Sequence, residues 1–289
     1  NGFGGQGPGT RLGRLSNERA TIFVRGAQPV IVDNIFRGNA GSAITIDLNS
    51  MTDNYLPDPG RQTGSAERNA SYLANRGPLI RDNRLFNNGL NGLNIRAGEF
   101  LTTSSVWDDT DIVHVVSNEI FVGNVQHEGG LRLISAPTES LVVKFDGYGS
   151  NFNRNLGAGL TANGQLTSAL DRVGGTIHLI GQPGFPVILT SLADDTAGAG
   201  LQPDGKPQTD TNNDGIGSVP QAADWRGILL DQYSNDRNVA MVVETEDFAA
   251  AAPGPNGFVG TAQVLGTLAA NTDSGDENRR LGFVVSGVL

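Results

Sequence analysis

The chain has no cysteine. That excludes disulfides, thiolate metal ligands and cysteine nucleophiles, and it does not mark a reducing compartment. Lysine is nearly absent: Lys144 and Lys206 are the only two, and every other basic residue is arginine. Twenty basic against thirty acidic residues leave a net charge of −10 and a pI near 4.7. This balance argues against nucleic acid, which requires a basic stripe, and against anionic membrane surfaces. No run of about 18 apolar residues occurs, so no membrane-spanning helix is expected. No stretch keeps a 3.6-residue apolar period beyond about three turns. The opening Asn1-Gly2-Phe3-Gly4-Gly5 lacks the basic start and apolar stretch of a signal peptide. The end, Leu281 to Leu289, is strand-like with no stop, and the chain reads as a piece of something larger.

Glycine, in contrast, is abundant, with 40 residues, and 13 prolines accompany it. That load implies many tight turns. A phrase recurs among them. Asn34-Ile35-Phe36-Arg37-Gly38-Asn39, Asn83-Arg84-Leu85-Phe86-Asn87-Asn88 and Asn118-Glu119-Ile120-Phe121-Val122-Gly123-Asn124 each set an apolar pair between asparagine-rich turns. A second alternating strand follows each: Ile44-Thr45-Ile46, Leu93-Asn94-Ile95, Leu131-Arg132-Leu133. Counted on the apolar pairs, the copies lie 50 and then 35 residues apart. A coil of a parallel β-solenoid takes on the order of 20–25 residues, so these gaps suit coils with insertions.

In parallel stacking like residues lie over like. Asn34, Asn39, Asn83, Asn88, Asn118 and Asn124 are then expected to form side-chain ladders, with Ile and Phe stacked inward. The expected fold is all-β, a right-handed parallel β-helix with long loop insertions over residues 1–250. A linker and terminal β element is expected over 251–289, with the start of a further module as the alternative. Residues 47–77 and 98–111 read as loop excursions. Val/Ile/Leu runs at 140–145, 175–181, 186–191, 225–230 and 239–244 suit buried strands that continue the stack.

At these residues the sequence resembles the right-handed parallel β-helix repeat proteins of bacteria in their large secreted, cell-surface form. The repeat runs from Ala20 to about Leu133. Trp107 to Val115, Glu139 to Lys144, Pro186 to Leu192, Asp210 to Gly215, Asp224 to Ile228 and Tyr233 to Val239 are similar to a recurring segment of those proteins. The resemblance implies the fold and export, and it assigns no activity. The same fold also hosts pectate lyases, polygalacturonases and phage tailspikes, and fold alone does not choose among them.

Two acidic clusters are the chemical candidates. Asp210-Thr211-Asn212-Asn213-Asp214-Gly215 matches the opening D-x-[DN]-x-[DN]-G of a calcium loop. Oxygens at alternate positions converge on one cation, and Gly215 permits the sharp turn. The twelfth position is Gln221, not the closing Glu, so Asp224, or else Asp204, Asp194 or Asp195, is expected to complete the shell. The metal set expected is Asp210, Asn212, Asp214 and Asp224, for Ca2+, against the alternative of a solvated acidic hairpin.

The second cluster is Asp108, Asp109 and Asp111 beside Trp107. Paired carboxylates with a sugar-stacking indole suit saccharide binding or glycosidase chemistry. A loop-to-strand cap whose Trp covers the core is the competing and favoured reading. Arg226 and Arg237 lie near acids, as a lyase base would, and surface ion pairing explains them as well. His114, His127 and His178 show no metal-ligand spacing. No G-x-S-x-G or P-loop motif occurs.

The function expected is structural or adhesive: a rigid rod at the cell surface presenting side loops, stiffened by calcium. The partners expected are polysaccharide or other surface proteins, without nucleic acid or membrane insertion. End-to-end association through open coil ends is a further expectation. The alternative is a polysaccharide lyase, glycoside hydrolase or carbohydrate-binding module.

Overall fold

The computed structural model describes residues 19–52, 76–96, 100–123, 130–147, 157–168, 171–215, 217–231, 234, 240–242 and 267–269. Six successive coils stack in parallel. The first holds β1 (Ala20–Val24), β2 (Val30–Val32) and β3 (Ile35–Arg37). The second holds β4 (Ser42–Asp47), a 3₁₀ turn at Leu48–Ser50, β5 (Leu79–Arg81) and β6 (Arg84–Phe86). The third holds β7 (Leu90–Arg96), β8 (Phe100–Leu101) and β9 (Ser104–Trp107). The fourth holds β10 (His114–Val116), β11 (Glu119–Val122) and β12 (Gly130–Ile134). In the fifth, β13 (Leu141–Phe145) and β14 (Gly159–Ala162) precede an antiparallel hairpin, β15 (Gly164–Ser168) and β16 (Asp171–Gly174), and then β17 (Thr176–Ile180). The sixth joins β18 (Val187–Ser191) to β19 (Gly227–Leu230) through a long strap, residues 192–226. An antiparallel pair, β20 (Ala240–Val242) with β21 (Thr267–Ala269), completes the described strands.

The principal sheet runs β1-β4-β7-β10-β13-β18, all parallel. Its register stacks Ile22, Ile44, Leu93, His114, Val143 and Leu189. The intervals are 22, 49, 21, 29 and 46 residues, so two bare coils of about 21 residues are interspersed with three that carry insertions. Successive side chains point to opposite faces of a strand. The Ile44/Ile46, Leu93/Ile95 and Val143/Phe145 pairs therefore face inward and form the main core with Trp107 and Leu133. Val113, Val115 and Val142 form a second, smaller core on the outer face, beneath Leu192, Ala197 and Ala199 of the strap.

The recurring phrase divides. β3 and β6 pair in register, Phe36 over Leu85, both buried, and Ile35 over Arg84. The true offset is 49 residues, not the 50 counted on the apolar pairs, because the asparagines set the register. Asn34 donates from its backbone and its side chain to Oδ1 of Asn83, both at 3.1 Å. Asn39 does the same to Oδ1 of Asn88 at 3.2 and 2.7 Å. The third copy lies on another side of the coil. β11 pairs with β8 and β14, placing Phe121 on Phe100. Asn118 is exposed there and joins no ladder to Asn83 or Asn88; Asn124 falls outside the described residues. Likewise Leu131–Leu133 belongs to the sheet β9-β12-β17, and the strand that continues from Leu93 is β10.

The ladder stops for a topological reason. The third coil passes from Asp111 directly into β10 and has no strand in the β3-β6 sheet. Strap residue Leu201 takes that place: it bridges Arg84 in parallel and accepts the Leu85 amide at 3.2 Å. Of the stretch 98–111, expected to be an excursion, the described residues 100–111 contain β8 and β9 and are a regular part of the coil. Residues 53–75 and the proposed boundary near 250 lie outside the described residues. Among the described residues no helix is long and apolar enough to cross a membrane.

Candidate functional site

Parallel stacking leaves one edge of β5 facing the next coil. The amides of Ile80 and Asp82 point to that edge, and a strand of carbonyls would normally accept them. Here the run Trp107-Asp108-Asp109-Thr110-Asp111 supplies carboxylates instead. Oδ2 of Asp108 accepts the Arg76 amide at 3.3 Å, Oδ1 of Asp109 accepts the Ile80 amide at 3.0 Å, and Oδ2 of Asp111 accepts the Asp82 amide. Trp107 is fully buried in the main core, its indole stacked on the His114 imidazole at 5.5 Å and 13°. It has no face to offer a sugar. Asp108 and Asp109 are buried as well. Of the expected saccharide residues only Asp111 borders open space.

That space is a groove of about 780 Å³. It follows one turn of the solenoid through five consecutive coils. Asp33 lines it after β2, Asp82 after β5, Asp111 after β9, Glu139 after β12 and Phe185 after β17. Strap residues Gly198 to Leu201 form the opposite wall. Gly200 adopts φ +74°, and a Cβ there would collide with the Asp111 carbonyl, so only glycine lets the strap close on this turn.

Arg81 ties the groove floor together. One guanidinium nitrogen donates to Glu139 at 2.9 Å and to Thr110 at 2.9 Å, and lies 3.7 Å from Asp111. Thr110 also donates to Glu139 at 2.6 Å. These contacts, the Thr110 and Arg81 hydrogen bonds first, outweigh desolvation and hold the Glu139 carboxyl below its ordinary range. Burial dominates at Asp111 and raises it to about 6, against the pull of Arg81. Asp109 is driven well above the ordinary range, by burial first and then by Asp108. Burial lowers His114 to about 3; its ring nitrogens make no hydrogen bond of ordinary geometry, and the nearby Ile112 backbone offsets the burial only in part.

The calcium-like loop lies elsewhere, on the strap over the outer face of the principal sheet. Asp210 accepts the amides of Asp214 at 3.0 Å and Gly215 at 3.1 Å, which curls the loop. Asp195, Asp210 and Asp214 converge, with one ligand oxygen from each within 4.8 Å of the others. Both Asp195 oxygens and Oδ1 of Asn212 are shielded from solvent without a hydrogen-bond donor. An all-oxygen set of that span suits a hard cation bound at roughly 2.3–2.6 Å. Burial, then Asp210, raises the Asp195 carboxyl above its ordinary range, and Lys144 opposes the rise only in part.

Lys144 lies below these acids, buried on β13, and donates to the Thr209 carbonyl at 2.9 Å. Burial lowers its pKa, and Asp195, Asp194, Asp210 and Asp214 oppose that. The structure thus brings Asp210, Asn212 and Asp214 together and adds Asp195. Asp224 is not with them: it accepts from Ser191 Oγ at 2.7 Å and the Gln221 amide at 2.8 Å, fixing the end of the strap where Trp225 stacks on Phe145. Asp194 is bound to Thr190 and Thr196, and Asp204 to Lys206. Arg226 pairs with Glu119, while Arg237 and His127 lie outside the described residues.

Arg81, Glu139, Asp33 and Asp82 were not singled out from the sequence. The only local trace is Asp33-Asn34 and Asp82-Asn83, the same dipeptide at the same point of two coils. Comparison with known protein families, with curated proteins and with solved structures finds no match.

Proposed function

We propose that the chain is a rigid solenoid segment of an exported bacterial surface protein, structural or adhesive in role, with a strap stiffened by calcium. The observation that supports this reading is the unbroken six-strand parallel sheet, whose buried columns make one through-going core. A continuous ladder of this kind resists bending without disulfides or helices. Calcium at Asp195, Asp210, Asn212 and Asp214 would join two separated parts of the strap and press it onto the outer face. Export and the bacterial source rest on the sequence resemblance alone.

Thermal melting with calcium and with chelator tests the stiffening. A midpoint several degrees higher in calcium, together with slower proteolysis within residues 192–226, is expected. Equal midpoints remove calcium from the proposal. Sedimentation at high concentration tests end-to-end association, and monomers throughout would remove it.

The groove favours a second reading, a carbohydrate-binding or polysaccharide-acting module. Its volume falls within the range of small-ligand sites, and Asp111 with Glu139 offers one carboxyl of raised and one of lowered pKa around Arg81.

A further inference from the structure

The groove has a charge pattern that selects among saccharides. One carboxylate enters it from each of the first four coils: Asp33, Asp82, Asp111 and Glu139. Stacked strands repeat at about 4.8 Å, so the acids form a comb along the solenoid axis. Arg81 pairs with the two at the inner end and acts on Asp82 only at longer range, and Arg84, which also lines the groove, forms no ion pair with either outer acid among the described residues. Asp33 and Asp82 are exposed, stand one above the other in register, and have no ion pair among the described residues. Both hold φ of +56°, a conformation that aims successive side chains out of the turn at the same angle. Two like charges at this spacing repel, and a cation between them relieves the repulsion.

The rest of the lining is not that of a bare ion site. Phe185 presents a partly exposed ring at one end, and Thr138 and Ser140 add hydroxyls beside Glu139. An aromatic face with neighbouring hydroxyls suits a pyranose ring, with its apolar face and polar edge. A uronate chain would set its carboxylates against Asp33 and Asp82. A neutral chain would bring that pair no ion-pairing cation.

We infer that the groove binds a linear oligosaccharide carrying free amino groups, with an ammonium held between Asp33 and Asp82 and sugar rings running toward Phe185. This rests on the carbohydrate-binding reading and narrows it to one class. Asp33 and Asp82 are the specificity-determining residues, and the Arg81–Glu139–Asp111 network is the fixed floor.

Calorimetric titration at pH 6 tests the inference with four probes: a glucosamine tetramer, its fully N-acetylated counterpart, a galacturonate tetramer and spermine. The amine-bearing tetramer is expected to bind at least ten-fold more tightly than the other three. Its affinity is expected to fall with added salt and at least ten-fold in the double variant Asp33→Asn/Asp82→Asn. Asparagine tolerates the left-handed conformation, and an unchanged melting midpoint verifies that the variant folds. Equal binding of the N-acetylated tetramer overturns the amine requirement and leaves the carbohydrate reading standing. Equal binding of spermine overturns the sugar requirement. Binding of no tetramer overturns both the inference and the carbohydrate reading.

Discussion

The Ile80 amide donates to Oδ1 of Asp109 over 3.0 Å, so a buried side chain replaces a strand at the edge of β5. Because burial drives the Asp109 carboxyl well above its ordinary range, the folded chain holds the proton more tightly than the unfolded chain does. The sign follows. A raised folded pKa contributes stability that is full below the unfolded value near 3.8 and is lost as pH rises. Asp109→Asn keeps the acceptor and removes the titration, so its neutral-pH melting midpoint should equal or exceed that of the parent. Asp109→Ala strands the Ile80 amide and should cost about 1–3 kcal/mol. Denaturant melts of both variants measure the difference, and equal loss in both would contradict the role of the acceptor.

His114 works in the opposite direction. Burial against Trp107 lowers it from about 6.5 to about 3. Across that window the unfolded chain takes up a proton that the folded chain refuses. Its contribution is therefore complete above pH 6.5 and declines as pH falls toward 3. At about 1.4 kcal/mol per unit, the loss reaches several kcal/mol. Asp111, raised to about 6, opposes this trend in part. His114→Leu places an apolar residue between Leu93 and Val143 in the column. Unfolding free energies from pH 4 to 7 should fall less steeply in the variant, and parallel curves would show that His114 does not titrate on unfolding.

The strands were legible because alternation is a local property: Ile44-Thr45-Ile46 and Leu93-Asn94-Ile95 read as strands and do pair. The side of the coil on which a strand falls was not. Turn chemistry around Asn118 resembles that around Asn34 and Asn83, yet β11 occupies another sheet, because similar turns recur at several corners of one coil. The strap was illegible for a different reason. It meets the second coil through contacts such as Asn213 to Asn87, 126 residues apart, and no local pattern specifies that docking. The metal loop was half legible. Asp210, Asn212 and Asp214 follow a motif, but Asp195 joins them only through the fold.

The asparagine ladder should show a gradient. Asn88 is fully buried and carries the largest share, since Oδ1 accepts from Asn39 and Nδ2 donates to the Phe36 carbonyl at 2.9 Å and to Asn91 at 3.0 Å. Asn88→Ala leaves several of these groups without partners and should cost roughly 3 kcal/mol or more, at about 1–3 kcal/mol for each stranded group. Asn34→Ala, at an exposed rung, should cost about 1 kcal/mol. Asn118→Ala should lie within about 0.5 kcal/mol of the parent. Chemical denaturation of the three variants orders them, and an Asn118 effect as large as that of Asn88 would mean that the third phrase carries a ladder after all.

Lys144 and calcium should compensate for one another. The Lys144 ammonium holds the Thr209 carbonyl and is the buried positive charge facing Asp194, Asp195, Asp210 and Asp214. Lys144→Met retains an apolar stem of similar reach and deletes the charge. Without calcium the acids then repel one another over the outer face, and the strap loses its hydrogen bond to β13. A hydrogen bond from a charged donor contributes about 1.5–3 kcal/mol, so the midpoint in chelator should fall by several degrees, with faster cleavage within residues 192–226. A divalent cation restores the missing charge among the same carboxylates. The midpoint of the variant should therefore rise more on adding calcium than that of the parent. Differential scanning calorimetry of both proteins, with chelator and with millimolar calcium, gives the four midpoints required. A calcium-induced rise no larger in the variant than in the parent would show that the lysine and the cation do not serve the same acids.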